Sequence, residues 1–371
     1  MIDIAEAWLR SAKWAELDGL KLRPVENPWM KGTPLSVVRG QAQALYLTDD
    51  NNLDWILKKF LPAKTPDRSY IKAIESLVPR RPGFQSGYLR KIFSRQDVSR
   101  SGFYSADFAS WVESTVLMSL INCDDWLNVA DGVRGGSVTL TDDERMILCM
   151  KLSENVSLLE SNDLSHRDLS VTNVFVDVRN QLVHLIDWDS LFHPSLSMPR
   201  NTTFGTEGYV APLVMVNGTP DPRATWQPRA DRFSLAILNA EFLCMNVGTS
   251  LKNEGGMFEQ QELYNRGGPG TARIIGLLQQ KSPAAAALLE RALQSRGFDD
   301  CPSPAEWLAL GGPAAASSAA PFTTGAGPAA PAPQPYAAAQ YAAAQAAPHS
   351  FALLDEAAFV QLDEGAMVQL N

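Results

Sequence analysis

The chain has 371 residues, of which 45 % are hydrophobic and 20 % charged, and a formal net charge of −9. That length allows a two-lobed domain of roughly 250 residues plus extensions, and the hydrophobic share is that of a folded protein. The acidic balance lacks the basic footprint of a nucleic-acid binder. The four cysteines, Cys123, Cys149, Cys244 and Cys301, show neither CxxC pairing nor metal-ligand spacing and read as reduced thiols suited to a cytoplasm.

The opening segment MIDIAEAWLRSAKWAELDG carries charges throughout, unlike a signal peptide. Its Ala5, Trp8, Leu9 and Leu17 predict a short amphipathic helix within a lead-in of residues 1–36. From Leu35 the runs LSVVRGQAQALYL, DDNN and LDWILKKF predict strand, turn and strand. In an alternating strand Ile56 and Lys58 share one face, and Leu57 and Lys59 share the other. Asp67 to Leu77 predicts a helix, and Glu75 within it is the only acidic residue between Asp67 and Asp97. The stretch ADFASWVESTVLMSLIN, Ala106 to Asn122, reads as two strands, the second ending near Met118. Residues 37–122 therefore predict a small, mostly β lobe.

Helices are expected to dominate residues 123–311. Thr141 to Glu144 has the form of a capping box, with the Thr141 hydroxyl accepting from the Glu144 amide and Glu144 reaching back. Ile147, Met150 and Leu158 extend an apolar stripe beyond it. Further helices are predicted at about 230–246 and 284–295. The apolar run from Phe233 to Val247 is interrupted by Asn239, Glu241 and Asn246, too short and too polar to cross a bilayer. After Gly312, Ala, Pro, Gly and Gln predominate, which predicts a disordered linker over 312–349. Residues 350–371 mix acidic pairs with apolar anchors, and Leu353 to Val360 is echoed by Gln361 to Val368. That ending reads either as a frayed terminus or as a docking peptide on a tether.

The chemistry concentrates in His166-Arg167-Asp168-Leu169-Ser170-Val171-Thr172-Asn173, followed by Asp187-Trp188-Asp189. Asp168 can accept a hydroxyl proton, and Asn173 and Asp187 can hold magnesium against nucleotide phosphates through oxygen ligands. The intervening VFVDVRNQLVHLID predicts a β-hairpin that carries Asn173 and Asp187 to neighbouring points. GTEGYVAP begins 16 residues beyond Asp189, and the Asp-led apolar run ADRFSLAIL follows from Ala230.

These elements, in this order, resemble the bacterial branch of the eukaryotic-like serine/threonine protein kinases from about Val37 to Ala309. The resemblance implies an α+β bilobal protein-kinase-like fold using ATP and Mg2+. It implies Asp168 as the group that orients the acceptor hydroxyl and Asn173 and Asp187 as metal ligands. Lys58 would be the lysine that holds the phosphates, with Lys59 as the competing assignment, and Glu75 would orient it. Thr206 would hydrogen-bond Asp168, and Asp231 would anchor the catalytic loop. Arg167 would meet a phosphate on the activation segment, with Thr202 and Thr203 as acceptors and Ser195 and Ser197 behind them. Met118 to Leu120 would form the adenine-side hinge.

The sequence also departs from that family. The three glycine positions of the phosphate-covering loop fall on Val38, Gly40 and Gln43, so Gly40 alone remains to let the backbone approach phosphate. Trp188 and Asp189 replace Phe-Gly, and Ser170 stands where many members carry a lysine that meets the transferred phosphate, which puts Ser170 among the expected catalytic residues. Leu213 and Cys301 stand in place of a glutamate and an arginine, which predicts an apolar contact instead of an ion pair. The function implied is phosphoryl transfer to serine or threonine of a protein, with autophosphorylation, in a cytoplasmic bacterial signalling module. The resemblance suggests a metal-dependent protein phosphatase and a von Willebrand-type protein as partners, while the charge and the apolar runs of the sequence predict no nucleic acid and no membrane. Two alternatives stay open: a pseudokinase scaffold, and a small-molecule kinase of the aminoglycoside or choline type, whose metal motif LIDWD also resembles.

Overall fold

The computed structural model describes residues 2–312, apart from 40–41, 80, 82, 85–88, 200–202 and 253–254. The expected linker and acidic-apolar ending lie outside the described residues from 313 onward. The amino-terminal part runs α1 (Ile2–Ser11), β1 (Ala15–Leu17), β2 (Leu20–Pro24), β3 (Ser36–Arg39), β4 (Ala42–Asp49), β5 (Asp54–Phe60), α2 (Arg68–Leu77), β6 (Leu89–Ile92), β7 (Val98–Gly102), α3 (Ala106–Val112) and β8 (Val116–Ser119). The carboxy-terminal part continues with β9 (Asp124–Asp125), α4 (Trp126–Gly135), α5 (Asp142–Ser161), β10 (Val174–Asp177), β11 (Leu182–Leu185), α6 (Asp231–Cys244), α7 (Gln260–Tyr264), α8 (Pro269–Lys281), α9 (Pro283–Gln294) and α10 (Pro304–Leu308). This is the two-part architecture expected: a mostly β region followed by a helical one.

The first part is an eight-stranded antiparallel sheet in the order β6-β8-β5-β4-β2-β1-β7, with β3 also paired to β4. The residues read as a lead-in therefore belong to the sheet. Beyond the amphipathic helix α1, β1 and β2 form a tight hairpin, and β2 pairs with β4 through Leu22↔Asp49 and Pro24↔Leu47. Their three- and five-residue lengths leave little alternation to recognise in sequence. The backbone is tight at the rim, where a Cβ on Gly102, whose φ is +73°, would stand 2.1 Å from the Trp14 carbonyl oxygen.

The first of the two strands expected in Ala106–Asn122 is the helix α3. Ser105 caps it, its hydroxyl accepting from the Phe108 amide at 2.9 Å. Phe108, Ala109, Trp111 and Val112 are buried, the spacing of a helical face rather than of a pleat. With α1 this helix covers one face of the sheet: Trp8, fully buried, sits 5.0 Å from Phe108 and 6.1 Å from Phe103, ring to ring. Leu17, Leu22, Leu45, Leu47, Trp55, Leu57 and Leu117 complete that core.

The opposite face turns toward α2 and the helical region, where a second core gathers Phe60, Ile71 and Ile74 with α5, α6, α8 and α9. The strong capping box of α5 is present: the Glu144 amide donates to Thr141 Oγ1 at 3.2 Å and the Thr141 amide to Glu144 Oε2 at 2.8 Å. Cys301 is buried in this core and Leu213 packs at its edge. The hairpin β10–β11 has the register Val174↔Leu185 through Asp177↔Leu182. Among the described residues no helix is long and apolar enough to cross a membrane.

Candidate active site

The loop from His166 to Asn173 links α5 to β10, and the α6 start pins it. Asp231, the first residue of α6, is 1 % exposed and accepts from the His166 amide at 2.6 Å and the Arg167 amide at 2.7 Å. Burial pushes its carboxyl up to about 7, although both amides favour the charged form. Arg167 (φ +69°) and Asp187 (φ +67°) both occupy the left-handed region, at about 1–3 kcal/mol each for a residue with a Cβ. The flanking hydrogen bonds hold them there. His166 Nε2 donates to the Ile186 carbonyl at 2.6 Å, and its Nδ1 accepts from the Asp168 amide at 3.3 Å. Burial holds the imidazole down to about 4, which keeps it neutral, and the Ile186 carbonyl sets the tautomer with the proton on Nε2.

Asp168 stands at the centre. The Thr206 hydroxyl donates to its Oδ1 at 2.7 Å, and Asn173 Nδ2 donates to its backbone carbonyl at 2.8 Å. Burial raises the Asp168 carboxyl to about 6, with the Thr206 bond working against the rise and the nearby Asp187 adding to it. The Ile186 amide donates to the Asn173 carbonyl at 3.1 Å, tying the two ends of the hairpin together. Asn173 and Asp187 are thus neighbours, as the hairpin reading required.

Strand alternation separates the two lysines. Lys58 points into the cleft, where its Nζ donates to Asp187 and, at 3.3 Å, to both carboxylate oxygens of Asp189. Lys59 points to the other face and donates to the Trp111 and Glu113 carbonyls at 2.6 and 2.9 Å, at the carboxy end of α3. Burial opposes the Lys58 charge, yet the two carboxylates outweigh it and raise its pKa. Burial likewise opposes the Asp187 charge, and Lys58 overrides it and holds Asp187 well below the usual carboxylate range. Burial together with Asp187 pushes Asp189 up. Glu75, expected to orient Lys58, lies on α2 and is not among the partners of that ammonium. Asp189 holds the lysine there, a residue the sequence reading quoted in its motif without giving it a site role.

Two further expectations need correcting. Arg167, 4 % exposed, does not face solvent to meet a phosphate. Its guanidinium donates to the carbonyls of Thr225, Ser190, Thr203 and Pro222 at 2.9–3.2 Å and to Thr225 Oγ1. It therefore acts as a staple for the segment around it, and burial lowers its pKa to about 10. Ser170 is fully buried, with its hydroxyl 3.2 Å from Thr172 Oγ1, and it is Thr172 that lines the cleft. Gly40 and Thr202 lie outside the described residues. Thr203 is half-buried, its Oγ1 accepting from the Gly205 amide at 2.9 Å.

GTEGYVAP is fixed from beneath. Gln260 Oε1 accepts from the Gly208 and Val210 amides at 2.8 and 3.3 Å, while its Nε2 donates to the Val210 carbonyl at 2.9 Å. The Tyr209 hydroxyl donates to Glu241, which also accepts from Trp126 Nε1 at 3.2 Å and the Met257 amide at 2.7 Å. Burial lifts the Glu241 carboxyl to about 7. Neither Gln260 nor Glu241 was singled out as a site residue from the sequence, because neither carries a local motif.

These groups open onto one cleft of about 610 Å³ lined by Lys58, Met118, Leu120, Asp168, Asn173, Asp187, Asp189 and Thr206, among others. Ala44 of β4, Val116 and Met118 of β8, Ile121 just beyond it and Phe175 of β10 supply apolar walls. That size and mix suit a nucleotide. The donor set also fits a magnesium ion. Asn173 is anchored through its amino group, so its carbonyl oxygen and the Asp187 carboxylate are the atoms that would hold such an ion. One or two carboxylates plus substrate phosphates is the ordinary magnesium arrangement.

The fold and this site define a protein kinase domain. The protein kinase domain family matches residues 107–297, just over half of the 371-residue chain, and the chain belongs to that family. The match includes Asp168, Asn173, Asp187 and Thr206, while Lys58 and Glu75 precede it. The chain is also similar to the "phosphorylase b kinase gamma catalytic chain, liver/testis isoform" of Mus musculus and of Homo sapiens. Each is 24 % identical over 180 residues, 46 % of this chain and 44 % of the relative, so the chain spans less than half the length of these relatives.

Proposed function

We propose that this chain transfers the γ-phosphoryl group of ATP, with Mg2+, to serine or threonine hydroxyls of a protein, its own chain included. The observation that carries this reading is the convergence of Asp168, Asn173, Asp187 and Lys58 on one cleft, with Thr206 bonded to Asp168 at 2.7 Å. Asp168 accepts the proton as the acceptor oxygen bonds to phosphorus; the bond to the bridging oxygen breaks and ADP leaves. Lys58 neutralises phosphate charge, and Asn173 and Asp187 would hold a magnesium ion, which when bound would supply further charge neutralisation. The pinned GTEGYVAP segment supports a polypeptide acceptor, since a small-molecule substrate has no need of a rigid docking ledge beside the base. A setting in bacterial cytoplasmic signalling, beside a metal-dependent phosphatase and a von Willebrand-type protein, rests on the sequence resemblance alone.

The test is to incubate the full chain with ATP, Mg2+ and a generic acceptor protein and to locate added phosphate by mass spectrometry. Phosphate on serine or threonine supports the reading. Phosphorylation of a choline or aminoglycoside panel with none on protein would replace it with a small-molecule kinase.

A further inference from the structure

Resting on that functional reading, we propose that Asp189 is the positioning residue for Lys58, in place of a glutamate on α2. Asp189 presents both carboxylate oxygens to Lys58 Nζ at 3.3 Å, and both side chains are largely withdrawn from solvent, at 18 % and 16 % exposure. The other carboxylate on Lys58 belongs to Asp187. Asp187 is the residue assigned to magnesium, which leaves Asp189 as the carboxylate dedicated to the lysine.

The backbone around Asp189 is held from both sides, which is what a positioning group requires. Trp188 packs between Phe84 and His166, with ring centroids 5.8 and 4.7 Å away. On the other side the Ser190 carbonyl accepts from Arg167 Nη1 at 2.9 Å, and the Leu191 carbonyl accepts from the Tyr70 hydroxyl at 2.5 Å. Asp189 is not among the positive-φ residues, so the backbone here does not demand a glycine and tolerates the carboxylate. The ring of Phe60, 4.9 Å from Lys58 Nζ, adds a further contact to the ammonium. The orientation of Lys58 is thereby set by the segment that carries Asp187 rather than by Glu75.

A double-mutant cycle tests this. ATP binding is titrated with and without Mg2+, and kcat and KM for ATP are measured, for the full-length chain, Asp189→Asn, Lys58→Met and the double variant. Circular dichroism checks folding, and Asp189→Ser provides a second small polar replacement. Asp189→Asn is expected to weaken metal-free ATP binding and kcat/KM about tenfold, and to add nothing once Lys58 is Met. Asp189→Glu, which keeps the charge, is expected to recover part of the loss. Losses that multiply in the double variant, or a coupling to Lys58 that appears for Glu75→Gln instead, would overturn the assignment. So would a defect confined to the Mg2+ requirement. A full-length chain that neither binds ATP nor transfers phosphate would overturn the functional reading and this inference with it.

Discussion

The hydroxyl of Thr206 donates to Asp168 Oδ1 at 2.7 Å, joining the GTEGYVAP segment to the His166–Asn173 loop. The same threonine sits two residues before Gly208, whose amide is fixed by Gln260 at 2.8 Å. The GTEGYVAP segment and the Asp168 carboxylate are therefore tied together, and under the proposed function the acceptor-docking segment and the base are positioned as one unit. Thr206→Val removes the bond without changing the volume, and kcat is expected to fall about 100-fold through misplacement of the carboxylate. Thr206→Ser keeps the donor and is expected to stay within a few-fold of the parent. Steady-state kinetics on both variants checks this.

Trp188 is 4 % exposed, packed on Phe84 and His166, and its Nε1 is buried without a hydrogen-bond partner among the described residues. Trp188→Ala is expected to cost about 3–5 kcal/mol of stability through the cavity it leaves. Trp188→Phe is expected to cost clearly less, because it keeps the ring contact and removes the unsatisfied N–H. Denaturant unfolding of the two variants separates them.

Glu241 lends the protein a specific pH dependence. Its folded carboxyl titrates near 7, raised by burial from an ordinary 4.5. Between those values the unfolded chain has lost the proton that the folded one keeps, so this group's contribution to stability falls as pH rises through the window and levels off above it. Glu241→Gln is expected to flatten the change in unfolding free energy between pH 4.5 and 7 by roughly 3 kcal/mol. Chemical denaturation of both proteins at several pH values across the window measures it.

The helix α3 depends on Ser105. Ser105→Ala is expected to cost about 1 kcal/mol, a drop of about 2–4 °C in melting temperature for a domain of this size. Phosphoryl transfer is expected to stay at the parent rate, since α3 packs on the sheet face away from the cleft.

Much of the site was legible because its signals are local. Asp168, Asn173 and Asp187 lie on one loop and one hairpin, and a period-two strand separates Lys58 from Lys59, although it took the structure to show that Lys58 faces the cleft. The α5 capping box was equally local, whereas the anchoring role of Asp231, 64 and 65 residues from the amides it holds, came from the family resemblance. What escaped depended on partners distant in sequence. Arg167 reads as a phosphate receptor until the carbonyls of Ser190, Thr203, Pro222 and Thr225 fold around it. Glu75 reads as the partner of Lys58 until Asp189, 131 residues away from the lysine, is seen beside it. α3 was mistaken for a strand because aromatic and β-branched residues fill its buried face, and the sheet strands β1 and β2 were too short to show a period.

The central claim is that Asp168 acts as the base of a phosphoryl-transfer site. Its most direct test is the initial rate of label transfer from ATP to protein, with Mg2+, for the full-length chain beside Asp168→Asn, together with ATP affinity for each. The account predicts measurable transfer by the parent chain and a loss of at least about 100-fold in the variant, with ATP binding retained. Equal rates in the two proteins, or no transfer by a parent chain that binds ATP tightly, would contradict it.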